Sequence, residues 1–200
     1  MITKAESRTY ERAGRLYEPP RLNAMERCLL KRAVIGRNDR VLDVGLGSGR
    51  LAEYLLRNLE CDVCGVSDDR EQVRRSRALV RSADLVYAAA GDIPWRDQAF
   101  HVVLFRAARL EKNALEAQLR EIHRVLKDGG QLVMGVEKTP ALLRTTRSAE
   151  ETGEEETENV GRREAERLLR SLGFETPSWQ PCGLFSGALV CWKHSAPEAG

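Results

Sequence analysis

Several things are scarce in this chain, and each scarcity narrows the field. No apolar run approaches the ~20 residues that a bilayer-spanning helix needs. Aromatic side chains are few, with three Trp, four Tyr and four Phe among 200 residues. Neither sign of charge dominates, because 32 Lys and Arg stand against 30 Asp and Glu for a net charge of +2. That balance says little about partners. The N-terminal stretch MITKAESRTYERAGRLYE lacks the apolar core of a secretory signal, so the chain reads as cytoplasmic. Cysteines number five, an odd count in a chain long enough to build its own core, so a disulfide framework is not expected. Cys61 and Cys64 form a C-x-x-C inside a strand-like segment. Side chains three apart in a strand point to opposite faces, so the pair reads as core or edge packing and not as a metal or redox site.

What is present is an alternation of strand and helix. Residues 21–36 carry Leu22, Met25, Leu29, Leu30 and Val34 at helical spacing. RVLDVG reads as a first strand, apolar enough to be buried on both faces of a parallel sheet. SGRLAEYLLRNL follows as a helix, CDVCGV as strand 2, DREQVRRSRALVRS as a helix, DLVYAAA as strand 3 and HVVLFR as strand 4. NALEAQLREIHRVLKDGG reads as a helix with Leu115, Leu119, Ile122 and Leu126 on its buried stripe, ended by Gly129 and Gly130. QLVMGV is strand 5. A polar linker carries EETGEEETE, six glutamates in nine residues, which reads as a solvated loop. A helix in GRREAERLLRSLGF, a strand near ETPSWQP and a last strand in FSGALVCWK complete the pattern. The reading divides the chain into an N-terminal segment 1–20 that could fold over the site, a domain at 21–193 and a flexible tail 194–200. Such alternation predicts an α/β fold, Rossmann-like and doubly wound, with helices on both faces of a mostly parallel sheet. Ligands in such sheets sit at the carboxyl ends of the strands, where the strand order reverses.

Three glycines follow the first strand on alternate positions, Gly45, Gly47 and Gly49. Bare backbone lets a ligand approach closely, and the helix that follows offers free N–H groups. A dinucleotide fingerprint would place its third glycine at position 50, which is Arg. The pattern here is D-x-G-x-G-x-G, beginning at Asp43, and it suits S-adenosyl-L-methionine (SAM). A carboxylate near the loop can meet that ligand's ammonium directly or through water. A tight turn, or another Rossmann-type site, is the alternative reading of the loop taken alone.

VLDVGLGSGRLAEYL resembles the first motif of the class I SAM-dependent methyltransferases. GDIPWRDQAFHVVLF resembles the same family's GDxxxLPFxxxxFDxV segment, LREIHRVLKDGGQLVMGV its RVLKPGG passage, and EAERLLRSLGFE the helix before strand 6. The four resemblances occur in order and span residues 22–193. They imply a seven-stranded sheet with an antiparallel last strand, SAM as cofactor, S-adenosylhomocysteine (SAH) as product and a small-molecule acceptor. Carried over by resemblance, Asp43 is the motif acid, Gly45, Gly47 and Gly49 line the methionine side, Leu46 and Ser48 supply backbone, and Asp92 and Ile93 flank adenine. Ser67 stands where the family has a ribose-binding acid. Either Asp68 reaches the ribose instead, or Asp68 or Asp69 caps the next helix. GDIPW is also about three residues shorter than the family's stretch, and His101 replaces the aspartate of FD. His101 opens strand 4, far from its ligand end, and reads as structural.

Methyl transfer needs alignment more than acid–base machinery, so no catalytic residue is assigned, and no metal. Phe105, Arg106 and Arg109 lie at the expected mouth, with Lys138 after strand 5 and Tyr10 and Tyr17 in the N-terminal segment. Arg106 and Arg109 together suggest an anionic acceptor. Arg70, Arg74, Arg77 and Arg81 form one helical stripe. No aromatic residues interleave with it, so it reads as a solvated face and not as a nucleic-acid surface. The departures at Ser67 and GDIPW leave a second reading: a non-catalytic SAM- or SAH-binding, or partner-binding, protein of the same fold.

Overall fold

Alternation within single strands sets the layers. In β1 (Arg40–Val44), Val41 turns to one face of the sheet and Leu42 to the other, and both are fully buried. The computed structural model describes residues 21–89, 91–107, 112–137, 161–183 and 186–195. The other strands are β2 (Asp62–Ser67), β3 (Asp84–Tyr87), β4 (Phe100–Ala107), β5 (Leu126–Glu137), β6 (Ser178–Pro181) and β7 (Ser186–Trp192). They form one seven-stranded sheet in the order β3-β2-β1-β4-β5-β7-β6. The first five strands run parallel, and β7 lies antiparallel to both β5 and β6. The doubly wound sheet and its antiparallel last strand are therefore as the sequence implied.

Helices cover both faces. On one face, α4 (Lys112–Val125) and α5 (Arg162–Ser171) bury Leu115, Leu119, Ile122, Leu168 and Leu169 against Leu42, Val103, Phe105 and Met134. Each such side chain contributes about 2 kcal/mol relative to exposure. On the other face, α1 (Ala24–Leu30) and α2 (Arg50–Asn58) set Met25, Leu29, Leu51 and Leu55 against Val41, Val63, Leu104 and Val133. α3 (Arg70–Leu79) packs Val73 onto Leu46 and Leu85.

Three local readings are corrected. The helix expected across 21–36 is only Ala24–Leu30, closed at its start by a capping box between Asn23 and Glu26. Beyond it Val34 is 72% exposed, so its apolar spacing marks no buried stripe. Gly129 and Gly130 do not end the preceding helix. It stops at Val125, and the two glycines lie within β5, where the register jumps from Leu126 opposite Phe100 to Gln131 opposite Val102. Finally, Cys28 in α1 and Cys182 beyond β6 are joined as a disulfide, with Cα atoms 5.7 Å apart. Their separation of 154 residues left no trace in the local pattern. Cys61 and Cys64 are unpaired and buried, and burial pushes both thiols up to about 11. No helix among the described residues is long and apolar enough to cross a membrane.

Candidate functional site

The strand order reverses between β1 and β4, and a cavity of about 440 Å³ opens at the carboxyl ends of the strands there. Its walls come from the end of β1 and its loop (Val44, Gly45, Gly47), the end of β2 and the start of α3 (Val66, Ser67, Asp68, Gln72), the segment after β3 (Ala88, Ala89, Gly91, Ile93), β4 (Phe105, Arg106) and α4 (Gln118).

The loop after β1 takes its shape from positive φ angles. Gly45 sits at +82° and Gly47 at +54°, a backbone region that residues with a Cβ seldom adopt. The third glycine has a different use. Gly49 is the N-terminal cap of α2, and a Cβ there would come within 2.8 Å of the Ser76 Cβ. It permits close packing of α2 on α3 and does not line the cavity. The Leu46 side chain is wholly buried in the small cluster with Val73 and Leu85, so only its backbone is left to the loop, as expected of it. Gly47 N–H donates to Gln72 Oε1 at 3.1 Å, and Ser67 Oγ lies 3.2 Å from the same oxygen. Gln72 thus ties the glycine loop to the end of β2.

Asp68 and Asp69 divide the roles that the sequence left open. Asp69 caps α3, accepting from Glu71 N–H at 2.8 Å and Gln72 N–H at 3.1 Å. Asp68 lines the cavity, next to Ser67. In the GDIPW segment, Gly91 and Ile93 reach the cavity, while Asp92 is exposed and outside its lining. Ile93 is fixed from both sides: its N–H donates to Glu121 Oε2 at 3.0 Å, and its carbonyl accepts from Arg124 Nη2 at 2.8 Å. Arg124 also donates to the Trp95 carbonyl and pairs with Glu121 and Asp97. The shortened loop is therefore held rigidly by α4.

The charged centre lies behind the glycine loop. Phe105 and Arg106 belong to β4, as the sequence placed them. Arg106 does not point outward to an acceptor. Its Nη2 donates to Asp43 Oδ1 at 3.0 Å and to the Gly45 carbonyl, its Nε donates to that carbonyl at 2.8 Å, and its Nη1 lies 3.6 Å from Glu26 Oε1. Asp43 is wholly buried and Glu26 is 2% exposed, so one guanidinium serves two buried carboxylates. Burial pushes the Asp43 carboxyl above the ordinary aspartate range, and the neighbouring Glu26 adds to the rise against the opposing pull of Arg106. Asp43 Oδ2 and Arg106 Nη1 have no hydrogen-bond partner among the described residues.

A sequence profile described as "Methyltransferase domain" matches residues 42–134, the span that holds every wall of this cavity. Over that span, a little under half of its length, the chain is similar to a methyltransferase domain. The chain is 31% identical over 105 residues to a sarcosine/dimethylglycine N-methyltransferase of Halorhodospira halochloris, covering 50% of this chain and 38% of that one. It is 32% identical over 119 residues to a ubiquinone/menaquinone biosynthesis C-methyltransferase of Xanthomonas oryzae, covering 54% and 46%. It thus spans less than half of either relative. Its fold matches a Pyrococcus horikoshii protein with a TM-score of 0.70 at 23% identity, over 84% of this chain and 88% of that one.

SAM is the cofactor of this family. The cavity fits its adenosine portion: uncharged walls at Ala88, Ala89, Gly91, Ile93 and Phe105 converge with a carboxylate at Asp68. The methionine side fits in backbone and is crowded by a side chain, since a Cβ placed on Gly47 would lie 3.6 Å from the Arg106 guanidinium carbon. Sequence reasoning missed Gln72, Gln118, Ala88 and Ala89. The D-x-x-Q at the start of α3 was a readable capping pattern, and it would have drawn attention to Gln72. Tyr10, Tyr17, Arg109, Lys138 and the glutamate-rich linker lie outside the described residues. The arginine stripe on α3 is largely engaged: Arg70 lies over the Tyr87 ring, Arg74 pairs with Glu71 and Arg77 donates to the Leu85 carbonyl.

Proposed function

We propose that this chain transfers a methyl group from SAM to a small-molecule acceptor. The observation that carries the reading is the cavity at the β1–β4 reversal, floored by the backbone of Gly45 and Gly47. In this reading Gly45 and Gly47 receive the methionine side, Ser67 and Asp68 the ribose, and Gly91 and Ile93 the adenine. Phe105, only 2% exposed, backs the pocket from β4. Leu46, Gly49 and Asp92 have no direct contact with the ligand in this reading. The cofactor, when bound, supplies a methyl already activated on a sulfonium sulfur. The protein's part is to orient the acceptor and exclude water, so a side-chain base is needed only for an acceptor that arrives protonated. The relatives named for sarcosine, dimethylglycine and quinone biosynthesis support an acceptor of small-molecule class.

The test is incubation with SAM and a panel of amines, phenols and activated carbon acids, with SAH formation as the readout. Turnover on at least one compound supports the reading. The pairing of Arg106 with Asp43 and the Gly45 carbonyl favours a second one, a SAM- or SAH-binding protein without turnover. Binding of both compounds with no SAH formed across the panel selects that alternative.

A further inference from the structure

We propose that Arg106 is an internal competitor for the cofactor's ammonium group, and that Glu26 is the anchor that retains it when the ligand binds. This rests on the reading of the cavity as a SAM site and concerns how that site is controlled. An ammonium entering beside Gly45 and Gly47 needs acceptors; the loop offers the Gly45 carbonyl, and behind it lies the buried Asp43 carboxylate of β1. Both already receive the Arg106 guanidinium, through Nη2 to Asp43 at 3.0 Å and through Nε to Gly45 at 2.8 Å. The conflict is at the Gly45 carbonyl, which already accepts two N–H groups of the guanidinium; Asp43 keeps only its buried, unpartnered Oδ2, so a ligand ammonium gains the loop carbonyl only when the guanidinium withdraws.

The cluster also shows where the guanidinium goes. Two buried carboxylates share one cation, so with both ionised the cluster is one positive charge short. An incoming ammonium supplies that charge. Arg106 Nη1 already lies 3.6 Å from Glu26 Oε1 and has no hydrogen bond of its own. A small rotation closes that gap while giving up Asp43. Each carboxylate then has its own cation, ammonium on Asp43 and guanidinium on Glu26, as buried charges require. Glu26 is held in place for this role by the capping box, its Oε2 accepting from Asn23 N–H at 2.7 Å. Affinity for ligands that carry the amino-acid tail is therefore held down by the protein's own arginine, while affinity for the bare thio-nucleoside is not.

The test is calorimetric titration with SAH and with 5′-methylthioadenosine, which keeps the thio-nucleoside and lacks the amino-acid portion. The proteins are the wild type, Arg106→Gln and Glu26→Gln; glutamine at position 26 preserves the capping box. Arg106→Gln should bind SAH about tenfold more tightly than wild type, with methylthioadenosine within twofold. Glu26→Gln should bind SAH at least threefold more weakly, again with methylthioadenosine unchanged. A merely structural role would move both ligands together, and that result overturns the proposal. So does weaker SAH binding by Arg106→Gln, which would make the arginine a ligand contact, or no change at all. Should Arg106→Gln fail to fold, the wild type decides: SAH and its desamino analogue should bind within about threefold of each other, and a hundredfold preference for SAH overturns the proposal. Methylthioadenosine binding with SAH unaffected by Arg106→Gln sinks the competitor alone. If neither compound binds to any of these proteins, the cofactor reading beneath it falls as well.

Discussion

The two halves of the cavity are built on different principles. On the side that follows β2 and β3 the walls are backbone and small apolar side chains, Ala88, Ala89, Gly91 and Ile93, with one carboxylate at Asp68. On the loop side a fixed ion cluster of Asp43, Arg106 and Glu26 lies buried directly behind the glycines. The first half is preformed and asks little of an incoming ligand. The second is already satisfied by the protein and must exchange partners before it can serve anything else. Shape is decided in one half and charge in the other, so substitutions in the two should fail in different ways.

The largest contrast is expected from Gly47→Val. It places a branched side chain against the Arg106 guanidinium at a φ of +54°. SAH affinity should fall by on the order of a hundredfold or more; unchanged affinity in calorimetry would put the ligand elsewhere. Arg106→Ala should show the cost of the charged half, about 3 kcal/mol of stability in urea unfolding, because it strands two buried carboxylates. A loss under about 1 kcal/mol would mean that the cluster relaxes into water. On the other side, Asp68→Ala should weaken SAH about tenfold with little change in stability. Asp69→Ala should cost about 1 kcal/mol of stability through the lost helix cap, with affinity within about twofold. The opposite order would reverse the assignment of the two aspartates.

The smallest effect is in pH dependence. The Asp43 carboxyl is raised in the folded state, chiefly by burial, so the native protein binds that proton more tightly than the unfolded chain. Its contribution is therefore most favourable in acid and is lost as pH rises from the ordinary aspartate range through the raised value. Glu121 behaves oppositely. Its hydrogen bond with Arg124 lowers it, and its contribution is lost as pH falls. Asp43→Asn should flatten the decline of stability on the alkaline side, and Glu121→Gln should flatten the loss on the acid side. Melting curves from about pH 2 to 8 separate the two.

Much of the fold was legible because its signals are local. The apolar run of β1, the stripe Leu115-Leu119-Ile122 and the positive-φ glycines each state their structure within a few residues. What was not legible depends on elements meeting across the sheet. Arg106 read as a residue pointing at an acceptor, because only the pairing of β4 with β1 brings it to Asp43 and Gly45. Gly49 read as a ligand contact, because its neighbour Ser76 lies on a different helix. The Gly129-Gly130 pair has the chemistry of a helix stop, yet the chain used it to jump register within a strand. Asp68 and Asp69 could not be ranked until the start of α3 was fixed.

Leu46, in the middle of the glycine loop, drops into the gap left by Gly65 on the neighbouring strand, where an added Cβ would lie 3.2 Å from the Leu46 Cγ. The loop is thus rooted by an apolar peg, and its ordering entropy is lost during folding and not at ligand capture. A methyl group introduced at Gly65 would lift that peg from below. It would register as poorer ligand capture although the altered residue lies beneath the pocket wall, outside its lining.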